Sequence, residues 1–98
     1  MMKAIFITYN QAYNQEIVEL LAQLGQRGYT VWNEIGGRGS VDGEPHLGSH
    51  AWPAQNHALF VAVPDELAPR VMQVLRETDA ANRDLGLRAW QLPIEDSL

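Results

Sequence analysis

The most informative segment for the fold is Ala58-Leu59-Phe60-Val61-Ala62-Val63. It is a continuous apolar run, which is typical of a strand that lies in the middle of a sheet. Pro64 and Asp65 follow immediately and end the strand, and Asp65 is predicted to cap a helix. The sequence therefore predicts a central strand here.

Downstream of this strand, the sequence predicts a helix and then a final strand. The helix has a buried stripe made of Leu67, Val71, Val74, Leu75 and Thr78. Its solvated side carries Glu77, Asp79, Arg83 and Asp84, and the four-residue spacing of Asp79 and Arg83 favours an ion pair. Gly86 ends the helix or its trailing loop, and residues 87–92 form a strand that ends before Pro93.

Upstream, the sequence predicts a strand, a helix and a second strand. Residues 4–9 form the first strand, and the helix covers about residues 14–27, with Asn14 as its cap. An apolar stripe defines this helix, and it consists of Ile17, Leu20, Leu21 and Leu24. The second strand has period two, and one of its faces carries Tyr29, Val31, Asn33 and Ile35.

The element order is therefore βαββαβ in one domain over residues 1–98. Right-handed crossovers turn this order into a ferredoxin-like α+β fold, a four-stranded antiparallel sheet with both helices on one face. Two helices leave the other face of the sheet uncovered, so Trp32, Phe60 and Trp90 cannot all be buried beneath them. An exposed apolar face favours self-association, and a symmetric oligomer would cover it.

Composition excludes several classes of protein. The net charge of −5 has the wrong sign for a protein that coats nucleic acid. The absence of cysteine excludes disulfide scaffolds and thiolate zinc sites, and makes the reducing cytoplasm the expected location. No apolar run approaches the roughly 20 residues of a membrane span.

The segment 36–56 between the second and third strands is the candidate functional loop. It carries five of the eight glycines of the chain and is far longer than a hairpin requires. Clustered glycines let backbone N–H groups turn toward an anion. The loop contains neither a Walker sequence nor a strand-to-helix dinucleotide fingerprint, so the glycines alone do not identify the ligand.

The helix that ends at Leu24-Gly25, with Gly28 three residues further on, is the first of four stretches in order that resemble the PII-type nitrogen regulatory signalling proteins. Gly28-Tyr29-Thr30-Val31 is similar to the start of the family's second strand, and Gly37, Gly39 and Gly43 keep the glycine spacing of the loop that follows. Val63-Pro64-Asp65-Glu66-Leu67 is similar to the end of the family's third strand and the start of its second helix. The resemblance covers most of the chain.

The resemblance implies a homotrimer that binds a small effector, typically an adenine nucleotide, in clefts between subunits. The long loop, residues 36–56, would then engage a protein target. The candidate ligand-binding residues are Gly37, Arg38 and Gly39 at the base of the loop and Arg88 at the start of the last strand. Phosphate recognition would rest on the two arginines.

Two departures from the family limit what is carried over. The family's glutamine, which helps to hold magnesium, corresponds to Val41, and the segment before the last strand keeps only Gly86 of several glycines. The loop contains no tyrosine, so it offers no acceptor for uridylylation. The nitrogen-sensing ligand set is therefore not expected to transfer as a whole.

A metal-binding or metal-responsive protein is the alternative. His46, His50 and His57, with Asp42 and Glu44 upstream, could hold a divalent transition metal such as zinc, copper or nickel. Catalysis is not expected, because no serine is presented beside an oxyanion hole and the two loop carboxylates have nothing to separate their pKa values.

Overall fold

The computed structural model describes residues 1–37 and 55–98. In chain order the elements are β1 (Met2–Asn10), α1 (Asn14–Gln23), β2 (Thr30–Ile35), β3 (Asn56–Pro64), α2 (Ala68–Ala81) and β4 (Arg88–Ile94). Short 3₁₀ turns precede α1 at Gln11–Tyr13 and follow α2 at Arg83–Leu85. The predicted βαββαβ order is confirmed.

The four strands form one antiparallel sheet in the order β2-β3-β1-β4. The apolar strand from which the prediction started, β3, lies between β2 and β1 and is central as expected. Strands β2 and β4 are therefore the two edge strands of the sheet. The last strand was predicted to end before Pro93, but β4 continues to Ile94, because an edge strand tolerates a residue that lacks a backbone N–H.

Both helices pack on one face of the sheet, which we call the covered face. Ile17 and Leu21 of α1 and Val71 and Leu75 of α2 are buried there. The strands contribute alternate residues to the same core: Ile5, Ile7 and Tyr9 from β1, and Leu59, Val61 and Val63 from β3. Within the described residues, neither helix is long and apolar enough to cross a membrane.

The opposite side of the sheet, the open face, carries large apolar side chains. We define it by Phe6, Trp32, Phe60, Trp90 and Leu92. Trp32 and Trp90 are 45% and 51% exposed, and the ring of Phe6 lies 5.7 Å from that of Trp32 and 6.1 Å from that of Trp90. The expected uncovered face is present, and an aromatic cluster occupies it.

Helix α1 is shorter than predicted and begins differently. It ends at Gln23 and not at residue 27, because Gly25 takes a φ of +90° that stops the helix. Asn14 is the first residue of the helix and not its cap, since its side chain accepts a hydrogen bond from the hydroxyl of Tyr9.

Helix α2 also starts without the predicted cap. It begins at Ala68, with Pro69 in its first turn and no side-chain capping bond. Asp65 does not cap it: its Oδ1 lies 3.6 Å from Nζ of Lys3, and its backbone N–H donates to the carbonyl of Met1. Arg83 and Asp84 lie beyond the helix, in the 3₁₀ turn.

One residue of β2 is out of the predicted alternation. Val31 pairs with Leu59, so regular pairing would bring Ile35 opposite Gln55, but Ile35 pairs with Asn56. The extra residue forms a bulge in which Glu34 has a φ of +56°. The period-two pattern predicted that Ile35 lies on the same face as Val31. Because of the bulge, it does not.

Candidate ligand-binding site

The base of the 36–56 loop lies where β1 and β2 end and β3 begins. Asn56 pairs with both Asn10 of β1 and Ile35 of β2, and the N–H of Gln11 donates to the carbonyl of Gln55 at 2.8 Å. Asn56 is only 5% exposed, which makes it a buried polar residue at this junction. The two ends of the loop are thus fixed to the sheet.

Gly37 packs directly against this junction. A Cβ atom at this position would lie 2.9 Å from Nδ2 of Asn56, closer than side chains tolerate. A Cβ atom at this position therefore requires the buried amide of Asn56 to shift. Arg38 and Gly39, the neighbouring candidates, lie outside the described residues.

Arg88 lies at the same end of the sheet, on the opposite edge. Its partner in β1 is Thr8, two residues before the Asn10 that pairs at the loop base. Three strand spacings separate β2 from β4, or about 14 Å. A ligand that contacts both Gly37 and Arg88 must span the end of the sheet or be shared between subunits.

The guanidinium of Arg88 is turned toward α2. Its Nη1 donates to the carbonyl of Leu87 at 2.6 Å and lies 4.0 Å from Oδ1 of Asp79. Arg83 donates from its own Nη1 to Oδ2 of the same carboxylate at 2.9 Å, which is the ion pair that the spacing predicted. The contact between Asp79 and Arg88 was not predicted, because no spacing rule joins residues across the turn after a helix.

A groove of about 180 Å³ lies between α2 and β4 beside this network. Its apolar part is formed by Met72, Leu75, Leu87 and Ala89, and its charged part by Arg76, Asp79 and Arg88. The turn that leads into β4 is fixed at both ends: the side chain of Asn82 accepts from the N–H of Asp84, and Gly86 takes a left-handed φ of +57°. This turn sets where Arg88 enters the sheet.

His57 is the one predicted metal ligand that the structure describes, since His46 and His50 lie outside the described residues. Its ring stacks on that of Tyr9, with centroids 6.2 Å apart and planes 13° apart, and its Nδ1 is buried without a hydrogen-bond partner in the described part of the chain. No group of three or more His, Cys, Asp or Glu in residues 1–37 and 55–98 is arranged to hold a metal.

Tyr9 is the buried member of this stacked pair. Its side chain is fully buried and its hydroxyl donates to Oδ1 of Asn14. Burial, and to a smaller extent the neighbouring Tyr29, raise the pKa of Tyr9 above its ordinary value. Tyr9 therefore stays protonated and acts here as a structural donor.

Known structures share this architecture. A putative PII-like signalling protein from Thermus thermophilus is 27% identical, with a TM-score of 0.65, and the match covers 92% of this chain and 82% of that one. CPII, a nitrogen regulatory PII-like protein from Thiomonas intermedia K12, is 18% identical with a TM-score of 0.71, over 93% of this chain and 89% of its own. That structure was solved with ADP, AMP and bicarbonate bound.

A third structure shows the same fold at low identity. A DUF3240 family protein from Shewanella baltica OS155 is 17% identical with a TM-score of 0.67, over 98% of this chain and 92% of that one. No curated protein matches the chain significantly. The sequence model of the family described as nitrogen regulatory protein P-II, in contrast, matches residues 2–98. The chain therefore belongs to the nitrogen regulatory protein P-II family.

Proposed function

We propose that this protein is a trimeric PII-like regulator of the cytoplasm that binds an adenine nucleotide in the clefts between its subunits. The observation that carries the proposal is that the loop base at Gly37 and Arg88 lie at the same end of the sheet, on its two edges, in a chain of the P-II family. The nucleotides in the CPII structure support this choice of ligand for a chain with the same fold.

The open face supports the trimeric state. Trp32, Trp90 and Leu92 are each about half exposed, and such a contiguous apolar surface costs free energy in water until it is covered. Identical subunits cover it by symmetry and at the same time create clefts at the sheet edges. Arg88, which lies on the edge strand β4, would then line such a cleft.

Arg88 is the residue that we assign to the phosphate groups. A guanidinium binds phosphate oxygens through parallel N–H bonds, and Arg88 retains exposed donors because its side chain is 37% exposed. Gly37, Arg38 and Gly39 complete the proposed site from the loop side. Since Val41 replaces the glutamine, the proposed ligand set contains no family-type magnesium and 2-oxoglutarate complex.

The direct test is calorimetric titration of the purified protein with ATP, ADP, AMP and cyclic AMP. We expect at least one of them to bind, and Arg88→Gln to weaken a phosphorylated nucleotide about tenfold while leaving adenosine unchanged. Arg70→Gln is the matched control, because it removes the same charge from the exposed first turn of α2. Absence of binding by all four nucleotides contradicts the proposed ligand.

The protein target is proposed to contact residues 36–56. Ile35 and Asn56 are paired, so two linking residues could join β2 and β3. The much longer segment between them is therefore not needed for the hairpin, and long loops in compact domains are often functional. Proteins retained from a lysate by the full chain are compared with those retained by a chain in which residues 38–54 are replaced by two residues. A target that binds both equally well contradicts the assignment to the loop.

A further inference from the structure

The contact between Asp79 and Arg88 lies at the proposed phosphate site. Oδ1 of Asp79 is 4.0 Å from Nη1 of Arg88, and both side chains are partly exposed, at 23% and 37%. This separation is longer than a hydrogen bond, so the two charges attract without being locked together. The guanidinium is held toward α2 but can be drawn away.

Arg83 sets how strongly Asp79 acts on Arg88. Its Nη1 donates to Oδ2 of Asp79 at 2.9 Å, and the Arg83 side chain is 74% exposed. The carboxylate of Asp79 therefore accepts a hydrogen bond from Arg83 at Oδ2 and faces the guanidinium of Arg88 with Oδ1. A shared carboxylate attracts Arg88 less than an unshared one, because Arg83 neutralises part of its charge.

We propose that Asp79 is a positioning residue that competes with the phosphate of the bound nucleotide for Arg88. This inference rests on the proposed function, because it assumes a phosphorylated ligand at Arg88. Without ligand, the carboxylate draws the guanidinium toward α2. Nη1 of Arg88 donates to the carbonyl of Leu87 at 2.6 Å, while Asp79 at 4.0 Å acts on the guanidinium only through its charge. A phosphate group attracts the guanidinium and also accepts hydrogen bonds from its exposed donors, so binding moves Arg88 from Asp79 to the ligand.

Asp79→Asn removes the competing charge and keeps the shape of the side chain. Partly exposed ion pairs are weak, so ADP should bind roughly two- to fivefold more tightly to this variant than to the wild type. Adenosine should bind both equally, since it offers no phosphate to Arg88. Glu77→Gln is the matched control, because it removes the same charge from the exposed side of the same helix.

Arg83→Gln tests the competition in the opposite direction. Without Arg83, the full charge of Asp79 acts on Arg88, and ADP should bind roughly twofold more weakly. The same substitution in the Asp79→Asn background should change ADP binding less, because its effect passes through Asp79. This double-mutant cycle separates competition from a general loss of positive charge.

Calorimetric titration of the four proteins and the Glu77→Gln control with ADP and adenosine decides the inference. Tighter ADP binding by Asp79→Asn, with unchanged adenosine binding and without the same gain in Glu77→Gln, supports it, including the case in which only proteins that carry Asp79→Asn bind measurably. Unchanged ADP binding, equal tightening for adenosine, or equal tightening by Glu77→Gln overturns it while nucleotide binding stands. If neither wild type nor any variant binds ADP, the proposed function fails and the inference fails with it.

Discussion

Gly37 approaches Asn56 so closely that a side chain at this residue would displace the Asn56 amide. A Cβ atom would lie 2.9 Å from Nδ2 of Asn56, whose side chain is buried at the loop base. Gly37→Ala should therefore lower the free energy of unfolding by about 1–3 kcal/mol, as overpacking does elsewhere. Urea denaturation measures this loss.

Gly28→Ala is the control for this substitution. Its Cβ would be 3.9 Å from Nε2 of Gln26, an ordinary contact, and so the free energy of unfolding should change by no more than about 0.5 kcal/mol. Equal losses for the two variants would show that the close approach to Asn56 is not the cause.

Tyr9 predicts how stability depends on pH in alkaline solution. Burial raises its pKa above the ordinary value of 10.0, so the unfolded chain releases the proton first. Above about pH 10 the folded state binds more protons than the unfolded state, and stability falls by up to about 1.4 kcal/mol per pH unit from this group. Below that pH the contribution is constant.

Tyr9→Phe removes this contribution. Urea unfolding between pH 8 and 11.5 should show a flatter decline of stability with pH for Tyr9→Phe than for the wild type. At neutral pH, Tyr9→Phe should be about 1 kcal/mol less stable, because Asn14 loses its buried donor. Parallel wild-type and Tyr9→Phe curves would contradict the role of Tyr9.

At the scale of elements, the turn between α2 and β4 depends on Gly86. Its φ of +57° and ψ of 33° lie in the left-handed region, which a Cβ atom disfavours by about 1–2 kcal/mol. Gly86→Ala should lower the free energy of unfolding by that amount. Gly86→Asn should lose less, since asparagine tolerates this conformation, and a larger loss for asparagine than for alanine would contradict the explanation.

The strands and helices differ in how well their positions can be predicted from the sequence. The existence and order of the strands, and the central position of β3, can be predicted from apolar runs and from alternation. These patterns are visible because burial constrains every residue of a strand. The bulge at Glu34 depends on one extra residue in one strand, and the alternation of β2 gives no sign of it. Helix α1 likewise ends at Gln23, because Gly25 stops it before Gly28 is reached, and the sequence offers a glycine at either position.

In the candidate site, the sequence predicted only those contacts that join residues close together in the chain. The pairing of Asp79 with Arg83 follows from their spacing on consecutive helical turns. The contact of Asp79 with Arg88 depends on how the turn at residues 82–87 folds back onto α2. Similarly, the burial of Asn56 depends on the junction of three strands, which no local sequence pattern indicates.

In the proposed trimer, the open face would link assembly to ligand binding. The helices cover one side of the sheet, and the aromatic cluster of Phe6, Trp32 and Trp90 lies on the other. If identical subunits cover this cluster, the clefts that hold the ligand exist only in the assembled protein. Disrupting the face should therefore abolish both properties together.

Trp90→Glu tests this coupling. A carboxylate at this position cannot be desolvated at an interface without a large cost, while Trp90 is 51% exposed in the single chain and is outside the core. We expect sedimentation to show three chains of 11.0 kDa for the wild type and one folded chain for the variant, with ADP binding lost. Gln91→Glu, which adds the same charge to β4 in register with Ile5 of the covered face, should remain trimeric and bind ADP. A monomeric wild type, or a trimeric Trp90→Glu variant, would contradict assembly through the open face, and a monomeric variant that still binds ADP would place the ligand within one subunit.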